Sequence, residues 1–289
     1  MKLQTIVDIK PAEWKIGYED KILMLGSCFA DSIGEQMVQR SLHVTCNPFG
    51  TLYNPLSIAQ AINYQLPITN YQLPLVEYEG LWHSMAHHGS FSRADKQEAE
   101  QAVRASIETM QNALQEATVV IVTFGTAWVY EMVNGTCPNG KWIVGNCHKL
   151  PEKEFTRRRL PVEEIVAAWK PLLERYPDKH WLFTVSPIRH IKDGLHENQL
   201  SKATLLQAVD QMVNGKCVNG KLHYFPSYEI MLDELRDYRF YADDLVHPSS
   251  LAIHYIWERF IDTFCTPETR NEMTIQHKRW KFEHHIPLH

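Results

Sequence analysis

The run Thr118–Phe124 (TVVIVTF) is apolar and β-branched almost throughout, and it stops at Gly125. A strand with one wet face alternates polar and apolar residues. An unbroken run needs cover on both faces, as a central parallel strand has. Parallel neighbours need long crossovers, usually helices. The chain supplies them. Lys21–Leu25, His43–Thr45, Trp181–Val185 and Leu222–Phe225 read as further strands. Asp31–Gln39, Ile58–Tyr64 (capped by Ser57), Asp95–Leu114, Pro161–Tyr176, Asn198–Met212 and Ser249–Phe264 read as helices, with Pro171 a potential kink. Residues 65–93 read as irregular, and 127–150 as a hairpin excursion with turn signals at Asn134-Gly135 and Asn139-Gly140. The polar tail 270–289 reads as surface or frayed. The pattern predicts one α/β domain over residues 1–289, a three-layer sandwich around a mostly parallel sheet.

Composition narrows the function. A net charge of −5 gives no bulk attraction to nucleic acid or anionic lipid, so neither is an expected partner. No run approaches the roughly 18 apolar residues of a membrane span, and Met1–Lys10 has no signal-like apolar core. Six separated cysteines without a C-x-x-C read as reduced thiols, so a cytoplasmic location is expected. No phosphate-binding glycine loop and no metal-ligand spacing is present, so no cofactor and no metal is expected. Nothing here fixes an oligomeric state.

In parallel sheets, ligands bind beyond the carboxyl ends of the strands. Those ends carry Ser27, Asn47–Gly50, Gly125–Trp128, Ser186–His190 and the loop Ser227–His247. Two segments there can carry chemistry. Gly26-Ser27-Cys28-Phe29-Ala30 is a small-residue turn between the first strand and the first helix. A serine at that point combines a hydroxyl nucleophile with a helix N-terminal N–H, although it also reads as a plain N-cap. Asp244-Leu245-Val246-His247-Pro248 sets an acid three residues before a histidine, so the carboxylate can take Nδ1–H and leave Nε2 as a base. A helix cap with a surface histidine is the plainer reading.

Together the two segments give the order Ser…Asp…His. The five residues from Gly26 spell the name of the GSCFA family, and the chain resembles that family, which stands near the SGNH/GDSL-type esterases. Asn146-Cys147-His148-Lys149, Ser186–His190 and Phe240–Pro248 share the resemblance. It implies a flavodoxin-like sheet and a serine esterase. Ser27 would be nucleophile, His247 base and Asp244 its orienter. The oxyanion donors would be the N–H groups of Ser27 and Gly50. The SGNH pattern asks for an asparagine after the third core strand, where this chain has Ala127. Asn146 or Thr126 is the replacement donor on offer.

The implied substrate is a small acyl ester, such as an O-acetylated carbohydrate or cell-envelope precursor, hydrolysed through an acyl-enzyme. Transfer of the acyl group to a sugar hydroxyl uses the same parts. A catalytically weak carbohydrate-binding protein is the reading from another class. Thr126, His148, Arg189 and His190 are the expected substrate contacts, and His148 a second candidate base. Cys28, beside Ser27 at the helix start, is the rival nucleophile. Trp82, Trp128, Tyr130 and Trp142 form either a sugar-stacking wall or ordinary packing. Arg157-Arg158-Arg159 reads as a solvated face.

Overall fold

Strand and helix alternate along the chain as the apolar runs require. The computed structural model describes residues 4–64, 75–137, 140–215 and 221–284. Strand β1 (Lys21–Gly26) leads into helix α1 (Cys28–Val38), β2 (His43–Cys46) and α2 (Pro55–Asn63). A hairpin of β3 (Leu75–Tyr78) and β4 (Leu81–Ser84) follows, then α3 (Lys96–Glu116) and β5 (Val119–Phe124). Strands β6 (Trp128–Cys137), β7 (Gly140–Ile143) and β8 (Phe155–Arg159) form a separate antiparallel sheet in the order β7-β6-β8. The chain continues through α4 (Val162–Arg175), β9 (His180–Val185), α5 (Leu195–Asn214) and β10 (Lys221–Phe225). It ends with α6 (Ser227–Glu229), a π-helical stretch (Ile230–Leu235), α7 (Ser250–Phe264) and α8 (Pro267–Glu283).

The main sheet is parallel throughout, in the order β10-β9-β5-β1-β2. The order reverses between β1 and β5, so the loops leaving these strands diverge and open a crevice. Alternate side chains serve opposite faces. Leu23, Leu25, Val120 and Val122 join a core with Ile58, Ile107, Trp169 and Leu205 from α2, α3, α4 and α5. Ile22, Met24, Val119 and Ile121 join the other, with Phe29, Ile33, Ile256 and Trp257 from α1 and α7. Three layers result, as the continuous run Thr118–Phe124 demands.

Local boundaries depart from expectation in informative ways. Helix α1 starts at Cys28, three residues before the expected Asp31, because Ser27 in extended backbone ends the strand and takes the N-cap position. The cap of α2 is Asn54, whose Oδ1 accepts from Ser57 N at 2.8 Å, and not Ser57 itself. Helix α4 runs unbroken through Pro171. Asn134-Gly135 makes no turn; β6 passes through it with a shift of register. The second turn signal, Asn139-Gly140, begins outside the described residues. The region expected to be irregular contains the β3–β4 hairpin. The tail forms α8 as far as Glu283.

The arginine triplet is a strand rather than a free solvated face. Along β8, Arg157 pairs with Asp193, Arg158 with Glu131 and Glu164, and Arg159 with Glu197.

Candidate active site

The crevice at the reversal point is a cleft of about 540 Å³. Its floor is the end of β1. Gly26 turns the chain there at φ +132°, and a Cβ on it would lie 2.1 Å from the Thr123 carbonyl oxygen, so only glycine fits. The turn decides which side chain meets the cleft. Ser27 points inward, fully buried, and its Oγ has no hydrogen-bond partner among the described residues. Cys28, the first residue of α1, is only partly buried and lines the cleft.

The opposite wall is the loop before α7. Asp244 folds it. Its Oδ1 accepts from the backbone N–H groups of Val246 at 2.8 Å and His247 at 2.9 Å, and its Oδ2 accepts from His247 Nδ1 at 2.6 Å. These bonds, the backbone ones first, hold the Asp244 carboxyl down to about 2. The carboxylate therefore takes Nδ1–H and leaves the Nε2 lone pair free. That nitrogen lies 3.7 Å from Cys28 Sγ, where the thiol can donate to it. Arg189 braces the same loop. Its backbone N–H donates to Val246 O at 3.2 Å and its guanidinium lies 3.9 Å above the Tyr241 ring.

The partner of His247 is thus Cys28, not the expected Ser27. The physical reason is the early start of α1, which puts residue 28 and not residue 27 on the exposed first turn. Burial is the main effect on the Cys28 thiol, with nearby Asp31 second, and both push it above its ordinary value. At neutral pH it rests as a thiol. The backbone N–H groups of Cys28 and Phe29 lie against the sulfur and act the other way.

The expected oxyanion donors are otherwise engaged. Ser27 N–H donates to Thr123 O at 3.2 Å, and Gly50 N–H to Asn47 O at 2.7 Å. Asn146 does line the cleft; its Oδ1 accepts from His148 N at 2.8 Å, which leaves Nδ2 as its donor end.

The expected substrate contacts divide. Thr126, Arg189 and His190 line the cleft. Thr126 Oγ1 accepts from Trp128 N and meets Ser201 Oγ at 3.1 Å. His148 is buried behind the wall, where Nε2–H donates to Ser84 O at 2.8 Å, so it is neither a substrate contact nor a second base. Of the four aromatics, Trp128 and Tyr130 line the cleft, and Arg157 lies 4.4 Å and 5.2 Å from their ring centres.

From sequence, Asn198…Ser201-Lys202 reads only as loop ordering or capping, which misses the burial of the lysine. Lys202 is wholly buried beneath the cleft, and its Nζ donates to Gly125 O at 2.6 Å and Ser186 O at 2.7 Å. Burial lowers it to about 7. A lysine on an amphipathic helix reads as solvent-facing, so nothing in the local sequence signals it.

Residues 21–260 match the GSCFA family. This protein belongs to the GSCFA family. The matched span includes every cleft residue named above. A search of curated proteins finds no match. Among solved structures, the chain is similar to a family two carbohydrate esterase from Clostridium thermocellum in complex with cellohexaose. The identity is 13%, the match covers 93% of this chain and 67% of the other, and the TM-score is 0.36. Among the described residues, no helix of this GSCFA protein is long and apolar enough to cross a membrane.

Proposed function

We propose that this protein is an acyl-transferring hydrolase that uses the Cys28 thiol as its nucleophile. The reading is carried by one arrangement: the Cys28 Sγ, His247 Nε2, His247 Nδ1, Asp244 Oδ2 relay, with separations of 3.7 Å and 2.6 Å. A nucleophile, a base and a carboxylate that orients the base define this chemistry by geometry, whatever the fold.

The steps follow from the parts. The thiol is held above its ordinary range, so it does not form a standing ion pair with His247. His247 Nε2 takes the thiol proton as Sγ attacks the ester carbonyl. The Sγ–C bond forms while the carbonyl π pair moves onto oxygen. When the intermediate collapses, the C–O bond breaks and His247 gives the proton to the departing alcohol. Water, with His247 again as base, hydrolyses the acyl-thioester. A sugar hydroxyl entering in place of water gives acyl transfer instead.

The substrate class that fits is a small acyl ester of a polar, hydroxyl-bearing alcohol such as a carbohydrate. A cleft of about 540 Å³ suits a ligand of that size. Its outer wall is amphipathic, with Trp128, Tyr130, Arg157 and Lys192. Turnover of p-nitrophenyl esters from acetate to octanoate, and of O-acetylated sugars, tests the reading. The expected result is turnover of the short esters that disappears in Cys28→Ala. Persistence of turnover in Cys28→Ala, or none with folded wild-type protein, overturns it.

A further inference from the structure

Attack by Cys28 places negative charge on the carbonyl oxygen, and a nearby donor must meet it. The backbone donors around the floor are occupied except those of Cys28 and Phe29, which lie against the sulfur itself. Besides Ser27 and Gly50, the N–H groups of Gly125 and Thr126 both donate to Tyr53 O, at 2.8 Å and 2.9 Å, and that of Ala127 donates to Ser201 Oγ at 2.8 Å. One side chain in the cleft is in the opposite condition. His190 is held at its backbone by Asn198, whose Oδ1 accepts its N–H at 2.9 Å. Its ring stands edge-on to Tyr53, with centroids 5.6 Å apart. Its Nε2 is buried without a hydrogen-bond partner among the described residues.

That nitrogen lies over Gly125, at the end of the strand next to β1. A Cβ on Gly125 would sit 3.1 Å from His190 Nε2 and 3.3 Å from Ser27 Cβ. The missing side chain therefore leaves the ring room beside the Ser27-Cys28 turn. A buried polar atom left without a partner costs free energy, about 1–3 kcal/mol in general. An unpartnered atom in a cleft has an evident use when a ligand atom completes it.

We propose that His190, as its Nε2–H tautomer, is the oxyanion donor of the Cys28 reaction. The proposal rests on the reading of Cys28 as nucleophile. In the addition step the Sγ–C bond forms, the π pair settles on oxygen, and His247 holds the thiol proton. His190 Nε2–H donates to that oxygen without transferring its proton. On collapse the pair returns, the C–O bond breaks, and the His247 proton leaves with the alcohol.

The protonation state suits a donor better than a second base. Burial, with Lys202 and His247 nearby acting in the same sense, pushes His190 down to about 3. A ring that stays neutral at pH 7 is a weak base, yet its N–H remains a donor. Lys202, bonded to the Gly125 carbonyl, adds favourable potential beneath the same point.

Two reactions at one sulfur test this. Acylation by p-nitrophenyl acetate builds an oxyanion; alkylation by iodoacetamide does not. Both rates are measured at Cys28 by peptide mass spectrometry in wild type, His190→Phe and His190→Gln. In His190→Phe, acylation is expected to fall about 10²-fold while alkylation is unchanged. His190→Gln, which keeps an N–H at similar reach, recovers part of the loss. Should His190→Phe fold poorly, His190→Gln is expected to give the same selective loss, smaller in size. An unchanged ratio of acylation to alkylation in these variants overturns the proposal. Alkylation of wild-type Cys28 without any acylation overturns instead the reading on which it rests.

Discussion

Two groups of histidines sit within this molecule and do different things, although one member of each, His87 and His190, is shifted alike. Behind the cleft wall, His87 is fully buried; burial, with His148 nearby, pushes it down to about 3. In the cleft, burial pushes His190 to about the same value. Hydrogen bonding separates them. His87 Nε2 meets Ser106 Oγ at 2.8 Å, and that hydroxyl already donates to Val103 O. Nε2 must therefore carry the proton, and Nδ1 accepts from Ser84 Oγ at 2.7 Å. Phe49 stacks on the ring at 4.1 Å. His148 is likewise tied to Ser84 O, and His83 to Ser92 Oγ and Tyr78 O. In the cleft, among the described residues, His247 Nε2 meets a thiol and His190 Nε2 has no hydrogen-bond partner. A shifted histidine is thus no mark of chemistry. An unfilled nitrogen in a cleft is the better sign.

The sharpest way to break this comparison is to remove one histidine from each group. His247→Ala is expected to slow acylation of Cys28 by about 10²- to 10⁴-fold, the usual worth of a general base. Its melting temperature should hardly move, because the side chain is half exposed. Stopped-flow acylation and thermal denaturation check both halves. His87→Leu should do the reverse. It strands the Ser84 hydroxyl and leaves Ser106 Oγ without its donor, and the expected loss is about 2–3 kcal/mol of stability in urea denaturation. Iodoacetamide should still alkylate Cys28 at the wild-type rate. A slow cleft with full stability in His87→Leu would dissolve the distinction.

A pH series refines it. A histidine lowered from 6.5 to about 3 binds its proton more readily in the unfolded chain. Stability contributed by neutral His87 is complete above pH 6.5 and is lost as the pH falls through the window toward 3. The slope approaches about 1.4 kcal/mol per pH unit for each such group. His87→Gln, which does not titrate, is expected to flatten the curve between pH 6 and 4. An unaltered slope would mean that His87 opens to solvent before it charges.

The smallest expected effect is at Ser27. Its hydroxyl is buried and unpartnered, so Ser27→Ala should be neutral or slightly stabilising by denaturant titration, with turnover near wild type. A dead Ser27→Ala enzyme would reinstate the serine.

The sheet was legible because its strands are short continuous apolar runs, and Thr118–Phe124 alone demanded two covering layers. Asp244 and His247 were legible because three residues in a tight loop fix their geometry locally. The residue that faces His247 was not. Ser27 and Cys28 are adjacent, and only the backbone turn at Gly26 decides which faces outward. Cys28 stood at the helix start as the rival, and its facing toward His247 is set by the fold and not by the local sequence. Long-range partners were equally hidden. Arg157 and Arg159 find Asp193 and Glu197 across the fold, and His148 finds Ser84 O, at separations no local pattern encodes.

The central claim is that Cys28, activated by His247, accepts the acyl group. Peptide mapping of the native protein after brief exposure to p-nitrophenyl acetate at neutral pH tests it directly. An acetyl-thioester is expected on the peptide bearing Cys28, one that hydroxylamine removes and that forms far more slowly in His247→Ala. An acetyl group on Ser27, or acetylation of Cys28 that is indifferent to His247, would contradict it.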